Sequence, residues 1–178
     1  MSTTTLIDKV RYGFGYIVLD ITEAVPPLDS LIVDGVEFLS KSEYHCSLVA
    51  VKRIAQSLAE NNNQVAQLQK TIVENAKKQL AQTPIDTVHF TGQFYRCHKN
   101  GESTIIGLVD VPGLQELRQG IASSTGISLD DPLPHVTVLK TINSQWGIAV
   151  NAQTDFNAYC STLPPDIEQA LKGKFHAA

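Results

Sequence analysis

Several features are scarce in this chain of 178 residues. Positive charge is not in excess: 14 Lys and Arg stand against 18 Asp and Glu, a net charge of −4, with a pI of about 5.7. A broad nucleic-acid-binding surface would show a basic surplus, so the charge balance leaves a small substrate or a short nucleic-acid end in a local pocket. No apolar run approaches the ~20 residues that a transmembrane helix needs. The opening Met1-Ser2-Thr3-Thr4-Thr5 lacks the basic and apolar character of a secretory signal. Cysteine is limited to Cys46, Cys97 and Cys160. They fit no metal spacing and their odd number closes no disulfide framework, so the default expectation is a cytoplasmic chain with reduced thiols. There is no glycine-rich phosphate loop, no nucleophile elbow and no His/Asp/Glu cluster at metal-ligand spacing.

What is present is the composition of a globular protein: 43% apolar and 18% charged residues. The length suits one compact domain with a sizeable core, taken as 1–178. Gly13 to Asp20 reads as a strand, Val36 to Leu39 as a short strand after the Asp34-Gly35 turn, and Tyr44 to Val49 as another. Ala50 to Glu60 is a candidate helix. Val65, Leu68, Ile72, Ala76 and Leu80 then form one apolar helical stripe that ends at Thr83-Pro84. Thr87 to Arg96 and Thr104 to Asp110 flank the Asn100-Gly101 turn as a hairpin. A helix runs from Pro112 to a stop at Gly126. A loop at 130–134 precedes a strand from His135 to Lys140. Gly147 to Asn151 is a further strand candidate, and Pro165 to Lys172 a last helix. The expected class is α+β.

Strand residues i and i+2 point the same way. His45 and Ser47 therefore share one face, with Cys46 and Leu48 on the other. His135 and Thr137 likewise share a face, against Val136 and Val138. Each strand offers one imidazole and one hydroxyl side by side. Phosphodiester hydrolysis needs such groups. Histidine serves as acid or base near neutral pH, and hydroxyls donate to the non-bridging oxygens where charge develops. The same alternation puts Lys140 on the face opposite His135. Cys46 points away from His45, which disfavours a thiol nucleophile activated by that histidine.

The paired motifs His45-Cys46-Ser47-Leu48 and His135-Val136-Thr137-Val138, the second preceded by Leu133-Pro134, resemble the 2H phosphoesterase superfamily. That family includes 2′,3′-cyclic phosphodiesterases and 2′-5′ RNA ligase-like proteins. The resemblance extends over Gly13 to Val150 in element order. It implies two pseudo-symmetric lobes of antiparallel sheet facing a central cleft, with helices packed outside. It also implies a metal- and cofactor-independent phosphodiesterase acting on 2′,3′-cyclic phosphates or other 2′-linked or cyclic nucleotides. His45 and His135 would be catalytic, and Ser47 and Thr137 would bind the substrate phosphate. One histidine would activate water and the other would protonate the leaving oxygen. The sequence leaves both assignments open; the reading leans to His135 as base and His45 as acid, and the roles exchange in the reverse, ligating direction. The partner is a nucleotide or short RNA end, with no membrane and no stable protein partner, and the chain is expected to be a monomer. Two alternatives stand beside this reading: a hydrolase of signalling cyclic or 2′-5′ oligonucleotides, and a non-catalytic protein that binds RNA ends or nucleotides.

His89-Phe90-Thr91 also fits the three-residue pattern. The 45/135 pair is preferred because its spacing of 90 residues matches what the resemblance implies, one motif in each lobe, and His89 is left as a decoy or a pocket-wall residue. Tyr12, Phe14 and Tyr16 would alternate along one strand, as base-stacking residues or as core and rim residues. Tyr44, Tyr95 and Arg96 are further candidates for the pocket wall, Arg96 as a phosphate contact or as a solvated residue near a turn.

Overall fold

The computed structural model describes residues 4–129, 133–144 and 147–176, so most of the loop expected at 130–134 lies outside the described residues. In chain order the strands are β1 (Thr4–Ile7), β2 (Val10–Gly13), β3 (Tyr16–Asp20), β4 (Leu31–Val33), β5 (Val36–Ser40) and β6 (His45–Val49). Helices α1 (Val51–Leu58) and α2 (Asn62–Gln82) follow, then the long hairpin of β7 (His89–Lys99) and β8 (Glu102–Asp110). Helix α3 (Leu114–Thr125), strand β9 (His135–Lys140), helix α4 (Gln153–Tyr159), strand β10 (Cys160–Thr162) and helix α5 (Pro165–His176) complete the order. The protein is α+β with a mostly antiparallel sheet. Among the described residues no helix is long and apolar enough to cross a membrane.

Contacts divide the chain into two compact units, each made of three separate segments. The first comprises Met1–Asp20, Cys46–Thr87 and Val111–Asp130. Its strands run in the order β1-β2-β3-β6. The run Gly13 to Asp20, expected as one strand, is broken by a tight turn. Phe14 and Gly15 both have positive φ, 54° and 88°, and reverse the chain between β2 and β3. Two left-handed central residues are what a two-residue hairpin requires. Gly15 is needed there, because a Cβ would lie 2.6 Å from the Lys52 side chain. Helix α2 is capped by Asn61, whose side chain accepts from Gln64 N–H. Its apolar stripe is buried at Ile72, Ala76 and Leu80, and it packs against α3, where Gly120 admits the Gln79 side chain. Helix α3 buries Leu114, Leu117 and Ile121 and ends at left-handed Gly126, as its sequence indicates.

The second unit comprises Ile21–His45, Val88–Asp110 and Asp131–Ala178. In its sheet β4 pairs with β5, β5 with β9, β9 with β8, β8 with β7, and β7 with β10, each antiparallel. Asp34-Gly35 and Asn100-Gly101 make the two turns expected of them, all four residues having positive φ. Gly147 to Asn151 is not a strand: it runs without ladder bonds, and Ile148 and Val150 pack their side chains onto the sheet through Cys97 and Ile106. On the opposite sheet face, Phe175 of α5 sits 4.3 Å from Phe90 and 5.1 Å from Phe94 between ring centroids. Gly107 leaves the room these rings occupy.

The cysteine expectation is corrected. Cys97 and Cys160 are directly opposite each other on β7 and β10 and form a disulfide, leaving Cys46 as the buried free thiol. Parity of number cannot reveal a bond between two of three cysteines when their pairing depends on a three-residue strand, β10, that has no clear sequence signal. The bridge spans 63 residues. By loop-closure entropy it stabilises the folded state by about 4 kcal/mol. Reduction, or the double change Cys97→Ser and Cys160→Ser, should lower the urea unfolding free energy by about that amount. An unchanged unfolding midpoint under reductant would show that the bridge does not form.

Candidate functional site

Strand β6 follows the predicted alternation. His45 and Ser47 are partly exposed, while Cys46 and Leu48 are fully buried. The division between the two units falls just after His45, so Ser47 belongs to the first unit and His45 to the second. Behind Ser47, buried Arg118 of α3 donates from Nε and Nη2 to the Leu48 carbonyl at 3.1 and 3.0 Å. A forked cation on one main-chain oxygen fixes the end of β6. Arg118 gave no sequence signal, since a single Arg on an amphipathic helix reads as solvated. Arg118→Met should destabilise the fold by about 2 kcal/mol in chemical denaturation, because the Leu48 carbonyl loses a charged donor.

Strand β9 departs from simple alternation. Residues directly opposite on antiparallel strands point to the same side. His135 is opposite Leu108, Thr137 opposite Ile106, and Lys140 opposite Thr104. Leu108, Ile106 and Thr104 are alternate residues of β8, so all six side chains lie on one face. The register shifts between Ile105 and Ile106, where β9 holds one residue more, Val138. This β-bulge resets the parity, so both Val138 and Leu139 are buried and Lys140 joins His135 and Thr137. The expectation that Lys140 points away from His135 is therefore corrected.

The same registers assign the other residues of this unit. Tyr95 is opposite Ile106, which puts it on the face of Thr137 and two strands away, about 10 Å. Its ring makes an edge contact with Phe156, at 4.8 Å, within the cluster of Ile148 and Val150. Arg96 is opposite Ile105 and so lies on the other face. There it pairs with Asp34 at 3.0 Å and covers the Phe38 ring. Gly147 crosses close above Thr137. A Cβ on it would stand 3.0 Å from Thr137 Oγ1, and its φ of 90° suits glycine.

His135 Nδ1 lies 3.0 Å from the Leu133 carbonyl. A carbonyl only accepts, so Nδ1 carries the proton and Nε2 of the neutral ring keeps its lone pair. Burial holds the imidazole pKa below its ordinary value of 6.5. The Leu133 bond opposes this, and the charge of Lys41 adds to it. Lys41 itself is pushed down to about 8, chiefly by burial and then by Lys140, with Glu43 acting the other way.

Tyr44 is buried, and it fixes the segment that bears Lys41. Its hydroxyl accepts from Lys41 N–H at 3.2 Å, its N–H donates to Thr22 Oγ1 at 3.0 Å, and Ile21 N–H donates to its carbonyl at 3.0 Å. The Lys41 ammonium stands 5.8 Å from the ring centroid. Tyr44 is thus a support for its neighbours, with its hydroxyl engaged by main chain.

The aromatic row expected on one strand is not formed. Tyr12 is opposite Ile17 and Tyr16 opposite Gly13, so the two tyrosines lie on opposite faces. Tyr12 reaches Gln69 of α2, 3.5 Å from its hydroxyl, and burial raises its pKa. Phe14 projects from the turn and is 59% exposed. His89 is exposed, and Thr91 closes a bulge in β7 by donating to the Leu108 carbonyl at 3.1 Å. The hydroxyl of that third motif is engaged by main chain. Among the described residues no three His, Cys, Asp or Glu side chains gather as metal ligands.

No family model, no curated protein and no solved structure matches the chain.

The charge arrangement is open to direct measurement. An NMR titration of the imidazole signals should place His135 below 6.5. Lys41→Gln should move that midpoint upward, because a positive neighbour disfavours the imidazolium. A midpoint at or above 6.5, or one that Lys41→Gln leaves in place, would contradict the assigned environment.

Proposed function

We propose that this protein is a phosphodiesterase of the two-histidine type, acting on 2′,3′-cyclic phosphates or other 2′-linked or cyclic nucleotides. The observation that carries the reading is the state of His135: a partly exposed imidazole, held neutral, its Nδ1 proton committed to Leu133 and its Nε2 lone pair available, with Thr137 on the same face. A neutral imidazole of low pKa is suited to a general base.

In this reading His135 Nε2 takes the proton of a water as its oxygen bonds to phosphorus. The ester bond to the leaving oxygen breaks, and protonated His45 supplies that oxygen with a proton. Thr137, and Ser47 beside His45, donate to the non-bridging oxygens. For a cyclic phosphate the product is the ring-opened monoester. The pseudo-symmetry of the two motifs and the central cleft belong to this proposal, as do action as a monomer and independence of metal and cofactor. Tyr16 and Phe14 remain candidates for contact with a base. Arg96, paired with Asp34 on the other face, is left out.

A panel of cyclic and 2′-5′-linked nucleotides, assayed with EDTA present, tests this. Hydrolysis should persist in EDTA and fall by at least ~100-fold in each of His45→Ala and His135→Ala. Full activity in both variants, or its loss in EDTA, would remove the two-histidine mechanism. Tight binding without turnover would favour a nucleotide-binding protein.

A further inference from the structure

The Cys97–Cys160 bond has neighbours besides the two strands it joins. Cys97 is opposite Thr104, two residues before Ile106, and Ile106 is opposite Thr137. Cys97 therefore lies on the sheet face that carries Thr137 and His135, and Cys160, directly opposite it, lies there too. Both cysteines share one apolar cluster with Ile106, Ile148 and Val150. Segment 147–150 makes no ladder bonds, so its attachment to the sheet is the packing of Ile148 and Val150 in that cluster. Its leading residue, Gly147, stands so close to Thr137 that a Cβ there would lie 3.0 Å from Oγ1 and 3.4 Å from Cγ2. Beyond the segment the chain passes through α4, whose Phe156 meets the Tyr95 ring, straight into Cys160. The bond thus pins one end of a stretch whose other end lies over Thr137. All of these residues belong to the second unit.

The two ends of the bond differ in exposure. Cys97 is fully buried. Cys160 is partly exposed, in a three-residue strand at the end of the sheet order whose other two residues are exposed. A dithiol therefore attacks at the Cys160 sulfur. Its first thiolate bonds to that sulfur, and Cys97 leaves as a thiolate and takes up a proton. The second thiolate of the reductant then displaces Cys160, which is protonated in turn. The protein gains two electrons and two protons, and the dithiol becomes a disulfide. After reduction β10 is joined to β7 by a ladder of three residue pairs. Thr137 and His135 are partly exposed with segment 147–150 in place, so the segment supports the site face without closing it.

We propose that the Cys97–Cys160 bond is a redox latch on the candidate site. Oxidised, it holds segment 147–150 down, and Gly147 keeps the Thr137 side chain in one orientation. Reduced by a dithiol, it frees the segment, and Thr137 loses that orientation. The effect on turnover rests on the phosphodiesterase reading; the release of Thr137 does not.

Methyl NMR on the full chain, labelled at Thr, Ile and Val, would compare the oxidised protein with the same sample after dithiothreitol. The signals of Thr137, Ile148 and Val150 should shift on reduction, and the cross-peak between Ile148 and Ile106 should weaken severalfold. Ile72 in α2 and Val33 in β4 should keep their positions. Cys160→Ser should show the reduced spectrum and no response to dithiothreitol. Gly147→Ala should displace the Thr137 signal with the bond intact. A bond that dithiothreitol does not open, Thr137 and Ile148 signals that ignore reduction, or collapse of the whole spectrum to unfolded positions would overturn the latch. So would a Thr137 signal that Gly147→Ala leaves in place. Turnover of adenosine 2′,3′-cyclic phosphate is measured on the same samples. Reduction should lower kcat roughly tenfold with little change in KM, because a disoriented hydroxyl gives up part of what a lost donor would cost. Hydrolysis that ignores reduction while the signals move overturns control of the site. Moving signals with no hydrolysis in either state leave the latch and remove the phosphodiesterase. Hydrolysis with unmoved signals does the reverse.

Discussion

The register between β8 and β9 governs the composition of the candidate site. Regular pairing along β9 would send Leu139 to the face of His135 and Lys140 to the opposite side, into contact with the core. One additional residue, Val138, avoids both faults. Leu139 becomes fully buried, and Lys140 remains partly exposed beside Thr137. A bulge usually serves to bend a strand or to re-aim a side chain. Here the re-aimed side chain is cationic and stands in line with an imidazole and a hydroxyl. The segment 147–150 lies over the same face, and its close approach at Gly147 leaves Thr137 little room to turn.

The electrostatics follow from that packing. His135 would be an ordinary surface histidine without the density around it and the Lys41 charge. Both disfavour the imidazolium, while the bond to Leu133 fixes which nitrogen is bare. Lys41 owes its position to the Tyr44 anchor: the Tyr44 hydroxyl accepts from Lys41 N–H, and the Tyr44 main chain bonds to the Thr22 hydroxyl and to Ile21 N–H. The residue just after that anchor is His45. The tether that sets Lys41 therefore also sets the entry to β6.

The alternation of both His-x-Ser/Thr motifs, the long hairpin at Asn100-Gly101 and the stripe of α2 could be read from sequence because each rests on local chemistry. Side-chain period, turn residues and caps act within a few positions. The features that were not legible depend on partners far along the chain. Nothing in His135 to Lys140 announces a bulge, since Val138 and Leu139 differ in neither polarity nor size enough to mark one. The Cys97–Cys160 bond needs the placement of β10 against β7. Arg118 acquires its role only when α3 meets the Leu48 carbonyl. The break at Phe14-Gly15 was legible in principle, as Gly-Phe-Gly contains a turn residue on each side. The aromatic content of the run reads more strongly as one continuous strand, whereas the turn puts Tyr12 and Tyr16 on opposite faces.

The overall charge of this chain and the Lys41 charge that acts on His135 have opposite signs, and the difference in range gives each a distinct effect. At physiological ionic strength, exposed charges beyond about 8 Å are largely screened. The overall charge of −4 then disfavours long polyanions, whose many phosphates would lie near acidic surface. At His135 burial acts first and the charge of Lys41 adds to it, and partial burial keeps that charge from being screened away. A short anion feels the second field more than the first.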